Sequence, residues 1–302
     1  MKNRKKILKE PAFRERAALA AGRDKRLQAI IGNRDEAAVG KMLREGGKTA
    51  LLREFAAYLD RRSWFSWDPK GAVTRKAFHY AFPVFSLLDE EKLLTAALFA
   101  EADPAEKAAI SKIDRLSGLD GGIVHDRFCK TMARGDLVYA RRFGKELYLR
   151  DKALFFETLA RFALTGRIKS LKALWVVAMI NFPADFDRKG DFDDALFHLS
   201  LSYPVKYRDD FYDPGELTDG RFSPRELWEK TAGDGDLPPR GRLALAAYLL
   251  LVKRYVPDEA AFLRIANFEY DNICRSIGNK EDENPFVAPL FEKITKLWEE
   301  SP

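Results

Sequence analysis

Residues 121–148, GGIVHDRFCKTMARGDLVYARRFGKELY, and residues 152–179, KALFFETLARFALTGRIKSLKALWVVAM, superpose on one another at an offset of 31. Apolar positions coincide: Ile123 with Leu154, Val124 with Phe155, Phe128 with Leu159, Cys129 with Ala160, Ala140 with Leu171 and Phe143 with Leu174. The turn coincides, Gly135 with Gly166, and so do two cations, Lys130 with Arg161 and Arg141 with Lys172. Each stretch reads as helix, glycine turn, helix. Further reversals at Gly71 and Asp103-Pro104 continue the beat, the four turns lying 32, 32 and 31 residues apart. A fixed period of this size, with helix-length segments between, marks hairpins that bury their apolar faces against neighbours.

The chain therefore reads as all-α: a right-handed superhelix of stacked antiparallel helical hairpins, an α-solenoid with a HEAT- or TPR-like period near 32 and no significant β-sheet. The Trp, Gly, Tyr and Pro positions of tetratricopeptide repeats are absent, as is the ankyrin Thr-Pro-Leu-His. HEAT-like packing is what elimination leaves. Four segments follow: 1–47, a basic helical lead-in; 48–182, the hairpin array; 183–238, an acidic, aromatic-rich, irregular insertion; and 239–302, a helical cap, all in one continuous domain.

Local signals place the helices. Residues 11–31 read as the first, and Asn33 or Asp35 caps a second that ends at Gly46-Gly47. Leu51, Leu52, Phe55, Tyr58 and Leu59 keep helical spacing, and Asp68-Pro69-Lys70-Gly71 supplies a turn. A helix resumes through Phe78, Phe82 and Phe85, with Pro83 expected to kink or end it. Within the insertion, one helix is expected near 192–202 and a short one near 205–211. Ser223-Pro224-Arg225-Glu226 spells a helix start, with a capping Ser, Pro in the first turn and Glu three residues on. Helices return near 240–255, 258–277 and 286–299.

Bulk properties narrow the class. At 302 residues, 46% hydrophobic and 32% charged, the chain has the balance of a folded domain. The longest apolar run, Leu243–Val252, is ten residues, about half a membrane span. The basic start has no apolar segment behind it and is not read as a secretory signal. Cys129 and Cys274 lie far apart and outside any CxxC, which suits a reducing compartment, so a cytoplasmic location is expected. The net charge of +6 conceals a segregation. Residues 1–62 carry 17 basic and 8 acidic side chains, 122–177 carry 12 and 5, and 183–238 carry 7 and 14. Such separation bears on partners rather than on fold.

No motif commits the chain to one chemistry. Gly46-Gly47-Lys48-Thr49 lacks the earlier glycine of a phosphate loop, Met42 standing there, and reads as one helix end and the next start. Asp185–Asp193 echoes a calcium loop but carries Lys189 at position five and Leu196 where a bidentate Glu belongs, so a solvated acidic loop is expected. Asp194 and His198 share a helix face, which is half a metal site with nothing to complete it. With three histidines, no GxSxG and neither thiol in a catalytic setting, no catalytic residue, metal or cofactor is assigned.

Two basic features remain. Arg61, Arg62, Trp64 and Trp67 place paired tryptophans beside arginines, a grouping that stacks bases or grips a partner unless it packs its own turn. Arg141 and Lys172 occupy equivalent places on successive hairpins, with Arg142, Lys145, Arg167 and Lys169 nearby, and would form a cationic track if those helices line a concave side. The first expectation is a non-enzymatic scaffold or adaptor that binds another protein. The alternative is a nucleic-acid-binding helical repeat, including a HEAT-like DNA repair enzyme.

Overall fold

A computed structural model describes residues 11–60, 66–67, 73–74, 78–113, 115–182, 186–188, 191–206, 211–233, 237–255, 259–275 and 284–301. Among them are thirteen α-helices, two 3-10 turns and two antiparallel hairpins of two-residue strands. The helices are α1 (Pro11–Asn33), α2 (Glu36–Leu59), α3 (Ala81–Leu87), α4 (Glu91–Glu101), α5 (Gly121–Arg134), α6 (Leu137–Arg150) and α7 (Lys152–Leu164). They continue as α8 (Lys172–Ile180), α9 (Asp194–Lys206), α10 (Pro224–Ala232), α11 (Pro239–Tyr255), α12 (Glu259–Cys274) and α13 (Val287–Glu299). The all-α expectation holds. The strands are β1 (Ser66–Trp67) with β2 (Val73–Thr74), and β3 (Asp187–Arg188) with β4 (Asp191–Phe192).

The local signals act where they stand. Asp35 caps α2 by accepting from the Ala38 N–H, and Gly47 at φ 74° puts a kink inside that helix that an L side chain resists. Gly135 closes α5 in the left-handed conformation at φ 72°, and Asp136 caps α6 immediately after it. Ser223 and Glu226 form both hydrogen bonds of a capping box at α10. Pro83 behaves differently from expectation. It is the third residue of α3, where its missing N–H forfeits no helical bond, so the helix runs on to Leu87. Asp68–Gly71 lies outside the described residues.

Packing departs from a row of units that touch only their neighbours. Helices α8, α9 and α11 are buried all round: Lys172–Met179, Leu196–Val205 and Leu243–Val252 are each buried without a break. A helix enclosed in this way belongs to a core rather than to one layer of a stack. Helix α9, from the segment expected to be an insertion, packs on α2, α5, α6 and α8, while α13 reaches back to α3. The two hairpins read from the sequence, α5–α6 and α7–α8, are present and adjacent. The turn at Asp103-Pro104 leads instead into a stretch that is non-helical at 102–113 and 115–120, bonded first to the end of α2 through Asp103 and Ala108 and then to α6 through Ser111, Ile113, Ser117 and Leu119.

One side of α9 is aromatic. Trp175 stacks on Tyr203 at 4.8 Å and on Phe82 at 5.1 Å, and its indole N–H donates to the Ser200 carbonyl. Phe78 meets Tyr80, Trp175 and Tyr203 edge-on. Offset and edge-on rings of this kind add to the area they bury.

Candidate functional site

The other side of α9 is ionic. Asp60 ends α2 at 5% exposure and accepts from His198 Nε2 of α9 at 2.6 Å and from Lys206 at the end of that helix. On α6, Arg141 is 3.4 Å from His198 Nδ1 and donates to the carbonyl of Ser111 and, at 3.2 Å, to its hydroxyl. Arginine offers only donors, so Nδ1 accepts and the His198 proton sits on Nε2, facing Asp60. One turn further along α6, Lys145 donates to the Ile113 carbonyl at 3.0 Å and lies 3.4 Å from Asp194, which in turn accepts from the Ile113 N–H at 3.0 Å. Arg53 of α2 reaches Asp193, the residue preceding α9.

Burial pushes the Asp60 carboxyl up, but hydrogen bonds from His198 and Lys206 and the charge of Lys206 outweigh it, holding the acid below its ordinary value. Burial also draws the Arg141 guanidinium down, against the pull of Asp194. Every member has a partner, as buried charge requires. Three of the carboxylates are therefore occupied by this chain's own cations and N–H groups, and among the described residues no cluster of three metal-ligating side chains occurs. The adjacent acids Asp193 and Asp194 point apart, one to α2 and one to α6.

The expected cationic track is not assembled on a surface. Arg141, Lys145 and Lys172 are 5%, 6% and 1% exposed. Arg141 and Lys172, aligned at the offset of 31, are both interior, Arg141 within α6 and Lys172 at the first position of α8. Lys172 lies over the rings of Phe162 and Phe211 at 5.2 and 5.6 Å. Lys169 is exposed in a 3-10 turn and donates to the Asn272 carbonyl of α12 at 3.3 Å. Of the three cations expected on α6, Arg142 is the exposed one, its guanidinium 5.5 Å over Tyr139. Arg61, Arg62 and Trp64 lie outside the described residues, and of Trp67 only the backbone pairing with Val73 is described. The physical reason for the burial of Arg141 and Lys145 is the coil at 111–113 and 115–119, whose described residues form no ladder. The side chains of α6 bind it instead: Arg141 at Ser111, Lys145 at Ile113, Glu146 at the Ser117 N–H and Arg150 at Leu119.

Other motifs are likewise spent on structure. Lys48 donates to the Leu88 carbonyl and to Asp89. His79 lies 3.9 Å from Glu101, whose carboxylate accepts from the Tyr80 and Ala81 N–H groups. His125 Nε2 is 3.5 Å from the Cys129 thiol and 3.0 Å from Thr158, but burial and then Asp126 push that thiol upward, which favours the unreactive protonated form.

One open cleft has ligand-like walls. It measures about 450 Å³ between α10, α11 and α13 and is lined by Trp228, Trp298, Leu249 and Val252, with Pro224 and Arg225 on α10. The two indoles stack at 4.1 Å and 9°. Their polar neighbours are already engaged: Arg225 pairs with Glu229 at 2.9 Å, and Lys253 donates to the Ser301 carbonyl at 2.7 Å. Seventy positions separate the two tryptophans, from 228 to 298, and no local pattern joins them. No helix among the described residues is long and apolar enough to cross a membrane. No family model matches this chain, and neither a curated protein nor a solved structure does.

Proposed function

We propose that this chain is a non-enzymatic helical scaffold that binds a protein partner, gripping an apolar segment of it in the cleft between α10, α11 and α13. One observation carries the reading: two stacked tryptophans line an apolar cleft of about 450 Å³ whose flanking cations are already engaged within the chain, Arg225 by Glu229 and Lys253 by a backbone carbonyl. Tryptophan is among the residues that dominate interface energies, and a cleft whose cations are already engaged, Arg225 by Glu229 and Lys253 by backbone carbonyls, favours an apolar anchor over a charged ligand. The interior position of the Asp60–His198 pair and the upward-shifted Cys129 thiol support the non-enzymatic part. The hairpins α5–α6 and α7–α8 are read as two units of a HEAT-like repeat, on the Gly135–Gly166 correspondence. Two unpaired thiols, Cys129 and Cys274, suit the cytoplasm.

The test is affinity purification from the native host, nuclease-treated, with the wild type and Trp228→Ala side by side. A partner that resists nuclease and is lost from the variant, while the variant's far-UV circular dichroism is unchanged, supports the reading. Recovery of the same partners by both chains would exclude the cleft.

A further inference from the structure

Several cations of this chain are spent on a neighbouring carboxylate: Arg23 on Glu54, Arg44 on Glu91, Lys107 on Asp24, Arg161 on Glu157, Arg221 on Asp271 and Arg264 on Asp219. The α5–α6 hairpin gathers four exposed cations that are not. Arg127, Lys130 and Arg134 stand on α5 at i, i+3 and i+7, one face of the helix, and all three are exposed. Arg142 is exposed on α6. None of the four takes part in an ion pair among the described residues. Of the nearby acids, Asp126 is one turn before Lys130 without reaching it, and Asp136 is used in capping α6. The same two helices also expose apolar groups. Ile123, Val138 and Tyr139 are 45%, 60% and 49% exposed, Arg127 sits 5.7 Å over the Phe143 ring, and Arg142 covers Tyr139.

We propose that this face binds single-stranded nucleic acid, with Arg127, Lys130, Arg134 and Arg142 on the phosphates and Tyr139 as a platform for a base. Unpaired cations are what a polyanion displaces its counterions for, and guanidinium matches phosphate geometry better than ammonium. The exposed ring among them distinguishes this from a plain electrostatic surface, because binding of single strands combines a cationic path with aromatic stacking. An acidic protein segment would use the cations and leave the ring idle. The face is separate from the tryptophan cleft, so this inference stands or falls independently of the protein-binding reading.

The experiment is fluorescence anisotropy of labelled oligothymidylate and oligouridylate with the full-length chain across a series of salt concentrations. The expected result is binding whose logarithmic salt slope falls by about 3 in the variant Arg127→Gln/Lys130→Gln/Arg134→Gln/Arg142→Gln, each phosphate contact on a single strand contributing about 0.7. Tyr139→Ala is expected to weaken binding about tenfold and leave the slope unchanged, since stacking is lost and charge is not. Trp228→Ala should bind like the wild type. The double variant Arg127→Gln/Arg142→Gln, with about half the slope change, guards against misfolding of the quadruple one. No binding, an unaltered slope in both charge variants, or a Tyr139→Ala chain that binds equally and is equally competed by polyglutamate would each overturn the proposal, the last in favour of an acidic protein.

Discussion

Arg141 and Arg142 are neighbours in sequence and opposites in the fold. The first is interior, its guanidinium divided between His198 and the backbone of Ser111; the second lies in water over Tyr139. A helix turns about 100° per residue, so one step along α6 exchanges core for solvent. The difference teaches that a tally of basic residues does not measure the charge a protein presents. On the inner side of α6, cations hydrogen-bond a coil that has no strand partner. On the outer side, Arg142 takes part in no ion pair among the described residues.

The largest effect that separates the two sides is expected from Asp60→Ala. It leaves His198 and Lys206 without their shared carboxylate in a buried seam, and breaking such a pair costs about 3–5 kcal/mol. Urea unfolding followed by circular dichroism measures it. A loss below 1 kcal/mol would mean the seam is solvated in practice.

The same seam predicts an acid response. The folded state holds Asp60 below its ordinary value of 3.8, so the unfolded chain takes up the proton first. The stabilisation is present in full above that value and is lost as pH falls through the lower folded one. Stability of the wild type should therefore drop more steeply below about pH 4 than that of Asp60→Asn, which has no charge there to lose. Parallel curves would remove Asp60 from the account.

A smaller effect tests the dry flank of α6. A Cβ at Gly144 would stand 2.9 Å from Phe128 Cε2 and 3.4 Å from Phe155 Cε2, so Gly144→Ala should cost about 1–3 kcal/mol through overpacking, read as a lower urea midpoint at unchanged slope. Smallest of all, the quadruple glutamine variant of the outer cations should change stability by no more than about 0.5 kcal/mol. Equal losses inside and outside would abolish the distinction between the two sides.

Much of the helical layout was legible because it rests on short-range chemistry. Asp35, Gly135 and the Ser223–Glu226 box act within a turn of their own positions, and α5 packs on α6 and α7 on α8 as neighbours in sequence. What could not be read depends on distant partners. Leu196–Val205 has the apolar content of any helix, and nothing in it says that four others will enclose it. The i, i+4 pairing of Asp194 and His198 was visible, but their partners come from α6, α2 and a coil. The exposed face was within reach: Arg127, Lys130 and Arg134 keep helical spacing on the segment that was aligned most closely. Equivalence of Arg141 with Lys172 drew attention to the cations that turned out to be interior.

The ionic seam also bears on the order in which this chain acquires its structure. Its closing contacts join residues 138, 140 and 146 positions apart: Asp60 with His198, Arg53 with Asp193, and Lys206 with Asp60. Hairpins such as α5–α6 form from local encounters, whereas contacts of this span await closure of a very long loop and slow folding. Until α9 arrives, the charges that later neutralise one another stay hydrated and apart. The seam is thus a latch for chain closure, set only after both halves of the helical layout have met.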